Sequence, residues 1–261
     1  MPPTIIQSPR RPGIADRNGN SGPPTYDLSY RDEFWTSRKY EDLCDRLALR
    51  ALLAGARGSL VDLGAGFGRL ADEYGSFDEV TLVDASPTMV EAARERVGAD
   101  RRFSVLAADA ADLAIPSQSV DVVVAVRLLV HLADPSEVFE EIARILRPGG
   151  RLIVEFPNRR HVLAAIRYLT GKQQWSPTGR RSHEYLAGHY SHQPRTVEAA
   201  LRFVGLEPDA RRAVSLFRSE RLKRILPARL LAAIESPLQA PLGRLVPSPS
   251  IYVRAIRARL P

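Results

Sequence analysis

The 261-residue chain has a single cysteine, Cys44. One thiol excludes a disulfide framework and any cysteine-based metal site. Long apolar runs are missing as well: none reaches the roughly 18 to 20 residues that a membrane span needs. Lysine is nearly absent, with 3 against 34 arginines, a bias that reads as codon usage rather than function. The opening MPPTIIQSPRRPG carries Arg10 and Arg11 but no apolar stretch of the kind an export signal needs, so a cytoplasmic protein is expected. At 44% hydrophobic and 26% charged residues, the composition excludes collagen-like, low-complexity and wholly disordered chains.

The net charge of +7 hides an asymmetry. Residues 26–150 carry −8, whereas residues 151–261 carry +13 and residues 1–25 carry +2. An acidic first half and a basic last third are suited to different tasks. Residues 1–25 hold six of the 20 prolines and few large apolar side chains, and read as a disordered tail. Residues 26–261 then read as one domain: a cap helix over 26–55, a core over 56–157, and insertions over 158–195 and 218–247. Phe34, Trp35, Leu43, Leu47 and Leu53 recur at near-helical spacing from Asp32 to Ala54, predicting an amphipathic helix that ends at Gly55.

Beyond it, short apolar runs alternate with helical stretches. The runs are SLVDL (59–63), VTLV (80–83), FSVLA (103–107), DVVVAV (121–126) and LIVEF (152–156). Helices are expected over 68–74, 88–97 and 135–146, the last stopped by Arg147-Pro148-Gly149-Gly150. This alternation predicts a parallel sheet with helices on both faces and a ligand site along the carboxyl edge of its strands. After Phe156 the rhythm breaks. A helix over 196–204, a strand over 212–217 and a final strand over 251–256 are expected, with proline-interrupted Leu/Arg-rich sequence over 218–245.

The central motif is Val61-Asp62-Leu63-Gly64-Ala65-Gly66-Phe67-Gly68-Arg69, a strand running into a glycine-rich turn. Arg69 stands where a dinucleotide fingerprint wants Gly or Ala. Asp62 beside the turn suits a cationic ligand better than a pyrophosphate, which wants bare amides. Asp84, at the end of the next strand, is placed to accept both ribose hydroxyls of an adenosine. Asp109 follows the third strand and can bond an adenine amino group.

The segments VDLGAGFGRL, LVDASPTMV, AADAADLAIPSQSVDVVVAV, LLVHLADP and IARILRPGGRLIVEFPN, in that order, resemble the class I S-adenosylmethionine-dependent methyltransferases of the type 11, UbiE-like group. The resemblance runs from about residue 30 to 160. It implies an α/β fold: a Rossmann-like, doubly wound, seven-stranded, mostly parallel sheet with helices on both faces and an antiparallel last strand. It also implies S-adenosylmethionine as cofactor. By the same resemblance Gly64, Ala65 and Gly66 pass under its methionine part and Asp62 sits near its ammonium. Asp84 takes the ribose hydroxyls, Ala85 and Met89 pack near the adenine, and Asp109 and Ala110 read the adenine edge. Arg127 lies at the methyl-transfer mouth, and Arg38 reaches the cofactor carboxylate.

An oxygen acceptor needs a general base, and His131, following the fourth strand, is the first candidate. The stretch 183–192 carries His183, His189 and His192 where the family inserts substrate-binding elements, so His189 is a second candidate base. His189 and His192 have a spacing used by metals, but no comparable third and fourth ligand accompanies them, and no metal is expected. Residues 220–246 set cations beside an apolar face, which suits either packing on the sheet or contact with a membrane surface.

The reading favoured is a methyltransferase acting on a small-molecule or lipid-linked acceptor, acidic or phosphate-bearing. A non-catalytic S-adenosylmethionine-binding partner protein and an RNA methyltransferase remain open. Nucleic acid is disfavoured because the basic residues are not interleaved with stacking aromatics. A nicotinamide oxidoreductase is disfavoured by Arg69 and by the lack of a Tyr-x-x-x-Lys pair.

Overall fold

The computed structural model describes residues 35–245 and 248–259. The expected tail (1–25) and the first part of the expected cap helix (26–34, with Asp32 and Phe34) lie outside the described residues. Strand β4 (Val120–Ala125) shows how this sequence makes the fold. It is β-branched and buried along most of its length. Val123 and Ala125 point into one core cluster, while Val122 and Val124 point into the other. Successive side chains leave a strand on opposite faces, so such a run is buried only when both faces are covered.

Around it stand β1 (Ser59–Leu63), β2 (Glu79–Asp84), β3 (Phe103–Ala107), β5 (Leu146–Pro157), β8 (Leu206–Val214) and β9 (Ser250–Arg257). The order across the sheet is β3-β2-β1-β4-β5-β9-β8. Only β9 runs against its neighbours, pairing antiparallel with both β5 and β8. Strands β6 (His183–Leu186) and β7 (His189–Ser191) form a separate hairpin.

Helix α3 (Ser136–Ile145) buries Val138, Phe139 and Ile142 on one face of the sheet, joined by Val197 and Leu201 of α5 (Pro194–Phe203). On the other face lie α1 (Lys39–Leu53), with Cys44, Ala48 and Leu49, and Leu231 of α7 (Ala228–Glu235). Helix α2 (Pro87–Val97) starts at Pro87, with Ser86 accepting from the Met89 amide. Proline at the first helical position and a serine cap together favour this start. The remaining helices are α4 (Val162–Leu169), α6 (Glu220–Ile225) and α8 (Gln239–Leu245).

Several expected elements differ. The helix expected over 68–74 is only a 3₁₀ turn at Ala71–Tyr74. Gly68 has φ +74°, outside the right-handed helical region, and delays any helix by three residues. The strand expected over 212–217 is β8, six residues earlier at its start. Pro208 and the charged residues of 206–214 hid it. It is an edge strand with a register shift at Pro208/Ala210, the setting in which a strand tolerates proline. The expected stop at 147–150 does end α3, but those residues open β5 rather than a loop.

Residues 220–245 form short helices docked on α1. Lys223 pairs with Glu41 at 2.6 Å. Buried Glu235 accepts from the Tyr40 hydroxyl and from the Ser215 and Leu216 amides. Leu231 and Ala232 are therefore taken up by packing. No helix among the described residues is long and apolar enough to cross a membrane.

Candidate cofactor and acceptor site

Strand β1 leaves the sheet at Leu63 into a turn in which Gly64, Gly66 and Gly68 all have positive φ, from +56° to +74°. Other residues rarely adopt that conformation. The turn is tied to β2. The Gly64 and Ala65 amides donate to the Val83 carbonyl at 2.9 and 3.0 Å. The Gly66 amide donates to Asp84 Oδ2 at 2.8 Å, and the Ser86 amide donates to Asp84 Oδ1 at 2.9 Å. A Cβ on Gly66 would meet nothing within 4 Å, so the turn borders open space on that side.

Asp62, next to last in β1, is buried beneath this turn and accepts a hydrogen bond from the Tyr74 hydroxyl at 2.7 Å. Burial lifts its carboxyl from 3.8 to about 7, although Tyr74 and Arg69 pull it back. Asp62, Gly64, Ala65, Gly66, Arg127 and Trp35 line a cavity of about 40 Å³. Trp35 roofs it. The Arg69 guanidinium lies 3.7 Å from the Trp35 ring centre, and that of Arg127 lies 4.9 Å away. Arg69 in turn pairs with Asp42 at 2.5 Å and Asp45 at 3.1 Å, fixing α1 to the turn. Beyond the wall made by Trp35, Phe67 and Arg69 opens a second cavity of about 510 Å³.

Met89 is buried against Trp35, Phe67 and Ala92. Ala85 is exposed at the end of β2. Asp109 is exposed beyond β3 and accepts from the Ala111 amide at 2.9 Å, while Ala110 packs against the core. Thus Asp62, Gly64, Ala65, Gly66 and Arg127 share one cavity, Asp84 touches it through Gly66, and Met89 through Trp35. Asp109 and Ala110 are linked to them by the sheet, where β2 and β3 end in register at Asp84 and Ala107.

Arg127 has φ +61°, a strained conformation for a residue with a side chain. Its amide donates to Glu155 Oε2 at 3.0 Å. Glu155 is buried on β5, and burial raises its carboxyl, with Arg127 opposing. Arg38 ends a 3₁₀ turn ahead of α1 and acts electrostatically on Tyr185 and on Arg218.

His131 and His189 come together. Their ring centres are 5.1 Å apart, edge to face. Burial and then the His189 charge lower the His131 imidazole from 6.5 to about 4. Tyr185 stands 6.3 Å from His189 across the hairpin. His192 is used differently: its Nε2 bonds the Leu129 carbonyl at 2.8 Å. Among the described residues no group of three or more His, Cys, Asp or Glu is arranged to hold a metal ion.

Trp35, Tyr74, Glu155 and Tyr185 were not singled out from the sequence. Tyr74 and Glu155 carry a signal only once β1, β4 and β5 are aligned. Trp35 reads as one apolar position among five in an amphipathic pattern. Arg69 stood out only as a departure from a fingerprint, not as the partner of two aspartates.

A glycine turn with open space at Gly66, a buried carboxylate beneath it and a second carboxylate at the end of β2 define the class I S-adenosylmethionine-dependent methyltransferase architecture, on this strand order. Residues 61–154 match the family model described as "Methyltransferase domain". That segment is about a third of the chain, and over it the chain is similar to S-adenosylmethionine-dependent methyltransferases. It is similar to the 27-O-demethylrifamycin SV methyltransferase of Amycolatopsis mediterranei, 40% identical over 42% of this chain and 42% of that protein. It is also similar to the ubiquinone biosynthesis O-methyltransferase of Xanthomonas oryzae, 33% identical over 44% of this chain and 48% of that protein. The match thus spans less than half the length of either relative. In fold it resembles the magnesium protoporphyrin IX methyltransferase of Synechocystis solved with bound S-adenosylhomocysteine. There the TM-score is 0.56 at 16% identity, covering 91% of this chain and 90% of that one.

Proposed function

We propose that the protein is a methyltransferase whose acceptor is an acidic or phosphate-bearing molecule, small or lipid-linked, with an oxygen as the methylated atom. S-adenosylmethionine supplies, when bound, an electrophilic sulfonium methyl. The residues present suit it. Asp62 offers a carboxylate to its ammonium, Gly64–Gly66 let it approach the backbone, and Asp84 keeps unshared lone pairs for ribose hydroxyls. Arg127, Ala85, Met89, Asp109 and Ala110 follow the carboxyl ends of β4, β2 and β3, on the same edge of the sheet as the turn.

The acceptor reading is carried by one observation: the mouth beyond β4 combines two histidines with arginines. His131 and His189 meet there, and Tyr185 lies within the electrostatic reach of Arg38, Arg127 and Arg218. Cations around a mouth attract an anionic acceptor and disfavour a cationic one. His131 bonds the backbone at Gly188 and is neutral down to about pH 4, which leaves its imidazole unprotonated at neutral pH and able to accept the proton of an acceptor hydroxyl. Such a general base contributes about 10²–10⁴-fold. Alignment of acceptor and methyl in a closed site supplies more.

The test is incorporation of labelled methyl from S-adenosylmethionine into cell extract separated by charge and by phase. Label in the anionic small-molecule or lipid fraction supports the proposal. Label in RNA, or tight cofactor binding with no label anywhere, overturns it in favour of the two other readings.

A further inference from the structure

Helix α4 is an apolar helix on the outside of the protein. Val162, Leu163, Ile166, Tyr168 and Leu169 are all exposed, Leu169 to 83%, and only Ala164 is buried. Val162, Ile166 and Leu169 fall on one side of the helix, at spacings of four and three residues. The helix is built to stand there: His161 Nδ1 accepts from the Ala164 amide at 3.2 Å. The loop after it is also held. Arg159 donates to the carbonyls of Ser176 and Arg181, and Trp175 lies 4.5 Å from the His183 ring. The hairpin tip adds exposed Tyr185 and Leu186.

The charge around this face is of one sign. Between Glu155 and Glu184 the sequence has no acidic residue. Arg160, Arg167, Lys172, Arg180 and Arg181 are exposed there, and none is in an ion pair among the described residues. Five unneutralised cations oppose pairing with a second copy of the same face, since like charges would meet. They suit a negatively charged surface, and the apolar side of α4 suits one with a hydrocarbon layer beneath it.

We infer that α4 and the hairpin tip dock the protein on an anionic lipid bilayer. Apolar side chains enter the headgroup boundary while flanking cations meet the lipid phosphates, the arrangement used by interfacial helices. The face lies beside the acceptor mouth, because α4 follows the end of β5 and the hairpin returns His189 to His131. This inference does not depend on methyl transfer, and its test reads binding alone.

The full chain would be sedimented with vesicles of phosphatidylcholine, with or without about one quarter phosphatidylglycerol, at about 0.1 M and about 0.5 M salt. Binding to the anionic vesicles, weakened by salt and by neutral lipid, is expected. Ile166→Ser with Leu169→Ser should weaken it at least tenfold. Arg167→Gln with Lys172→Gln should weaken it by roughly fivefold per cation. These side chains are exposed, so the melting temperature should not move. Leu230→Ser with Ile234→Ser on α7 should leave binding unchanged. The inference is overturned if the protein fails to bind anionic vesicles at low salt, if the α4 changes have no effect, or if only the α7 change abolishes binding. It is also overturned if the α4 changes convert a dimer into a monomer without affecting vesicles, which assigns the face to a second copy. Saturable capture of an acidic protein with no vesicle binding would assign it to that partner instead.

Discussion

The Tyr74 hydroxyl holds the Asp62 carboxylate at 2.7 Å across 12 residues of chain, and both groups are buried. A buried carboxylate with one neutral donor is inexpensive to protonate. The Asp62 carboxyl is therefore raised from 3.8 to about 7, burial being the main cause. Stability from a raised carboxyl is complete below the unfolded value of 3.8 and is lost as pH rises through about 7. Asp62→Asn should flatten that decline in a melting-temperature series between these values. Cofactor binding beside Asp62 should release its proton, so affinity should rise with pH up to about 7. Calorimetry in buffers of different ionisation enthalpy would show the proton, and Asp62→Asn should abolish it.

Tyr74→Phe removes the donor and leaves the carboxylate buried alone. A loss of about 1–3 kcal/mol of stability is expected, the usual cost of stranding a buried acceptor. An unchanged denaturation midpoint would show that Asp62 is protonated or solvated without Tyr74.

Asp84 anchors the Gly66 and Ser86 amides with separate oxygens. Asp84→Ala should weaken S-adenosylmethionine binding by about 1.5–3 kcal/mol, because charge-assisted bonds to ribose and to the turn are lost together. Asp84→Asn keeps one acceptor and should lose less. Titration calorimetry of both variants checks the assignment, and equal affinity to the parent refutes it.

His131 has its pKa lowered to about 4 by burial and then by His189. A lowered histidine stabilises the fold above its unfolded value of 6.5, and that stability is lost as pH falls through about 4. The acid limb of the pH–rate profile should fall near the same low value rather than at 6.5. His131→Ala should cut kcat by about 10²–10⁴-fold with cofactor affinity intact. His189→Ala removes the neighbouring charge and should move the acid limb upward, a shift that a merely structural role would not produce.

Trp35 closes a cavity of about 40 Å³, far less than the roughly 300 Å³ or more of a small-molecule site. A shift of the indole away from Arg69, opening this cavity toward the adjoining one of about 510 Å³, is therefore the expected response to cofactor. The chain has 2 tryptophans, so in Trp175→Phe the emission reports Trp35 alone. Adding S-adenosylhomocysteine should change its intensity or wavelength. Constant emission with binding confirmed by calorimetry would mean that the cofactor enters without moving it.

The parallel core and its glycine turn were legible in the sequence, because they rest on local signals, whereas the order of the strands across the sheet came only with the fold. The β-branched run at 120–125, the glycines at 64, 66 and 68, and the aspartates at 62 and 84 near the ends of β1 and β2 each state their role within a few residues. The places where local reading failed are equally physical. Gly68 turned an expected helix into one 3₁₀ turn, and Pro208 disguised an edge strand. Relationships between distant residues were decided only by tertiary structure. Tyr74 found Asp62, Glu155 captured the strained Arg127 amide, and His189 crossed 58 residues of chain to His131 through a hairpin. Neither the absence of acids from 156–183 nor the apolar run of α4 says which way that helix faces. Periodicity predicts an apolar face but not whether a partner covers it, and here folding covered Leu231 of α7 while leaving Leu169 of α4 in the open.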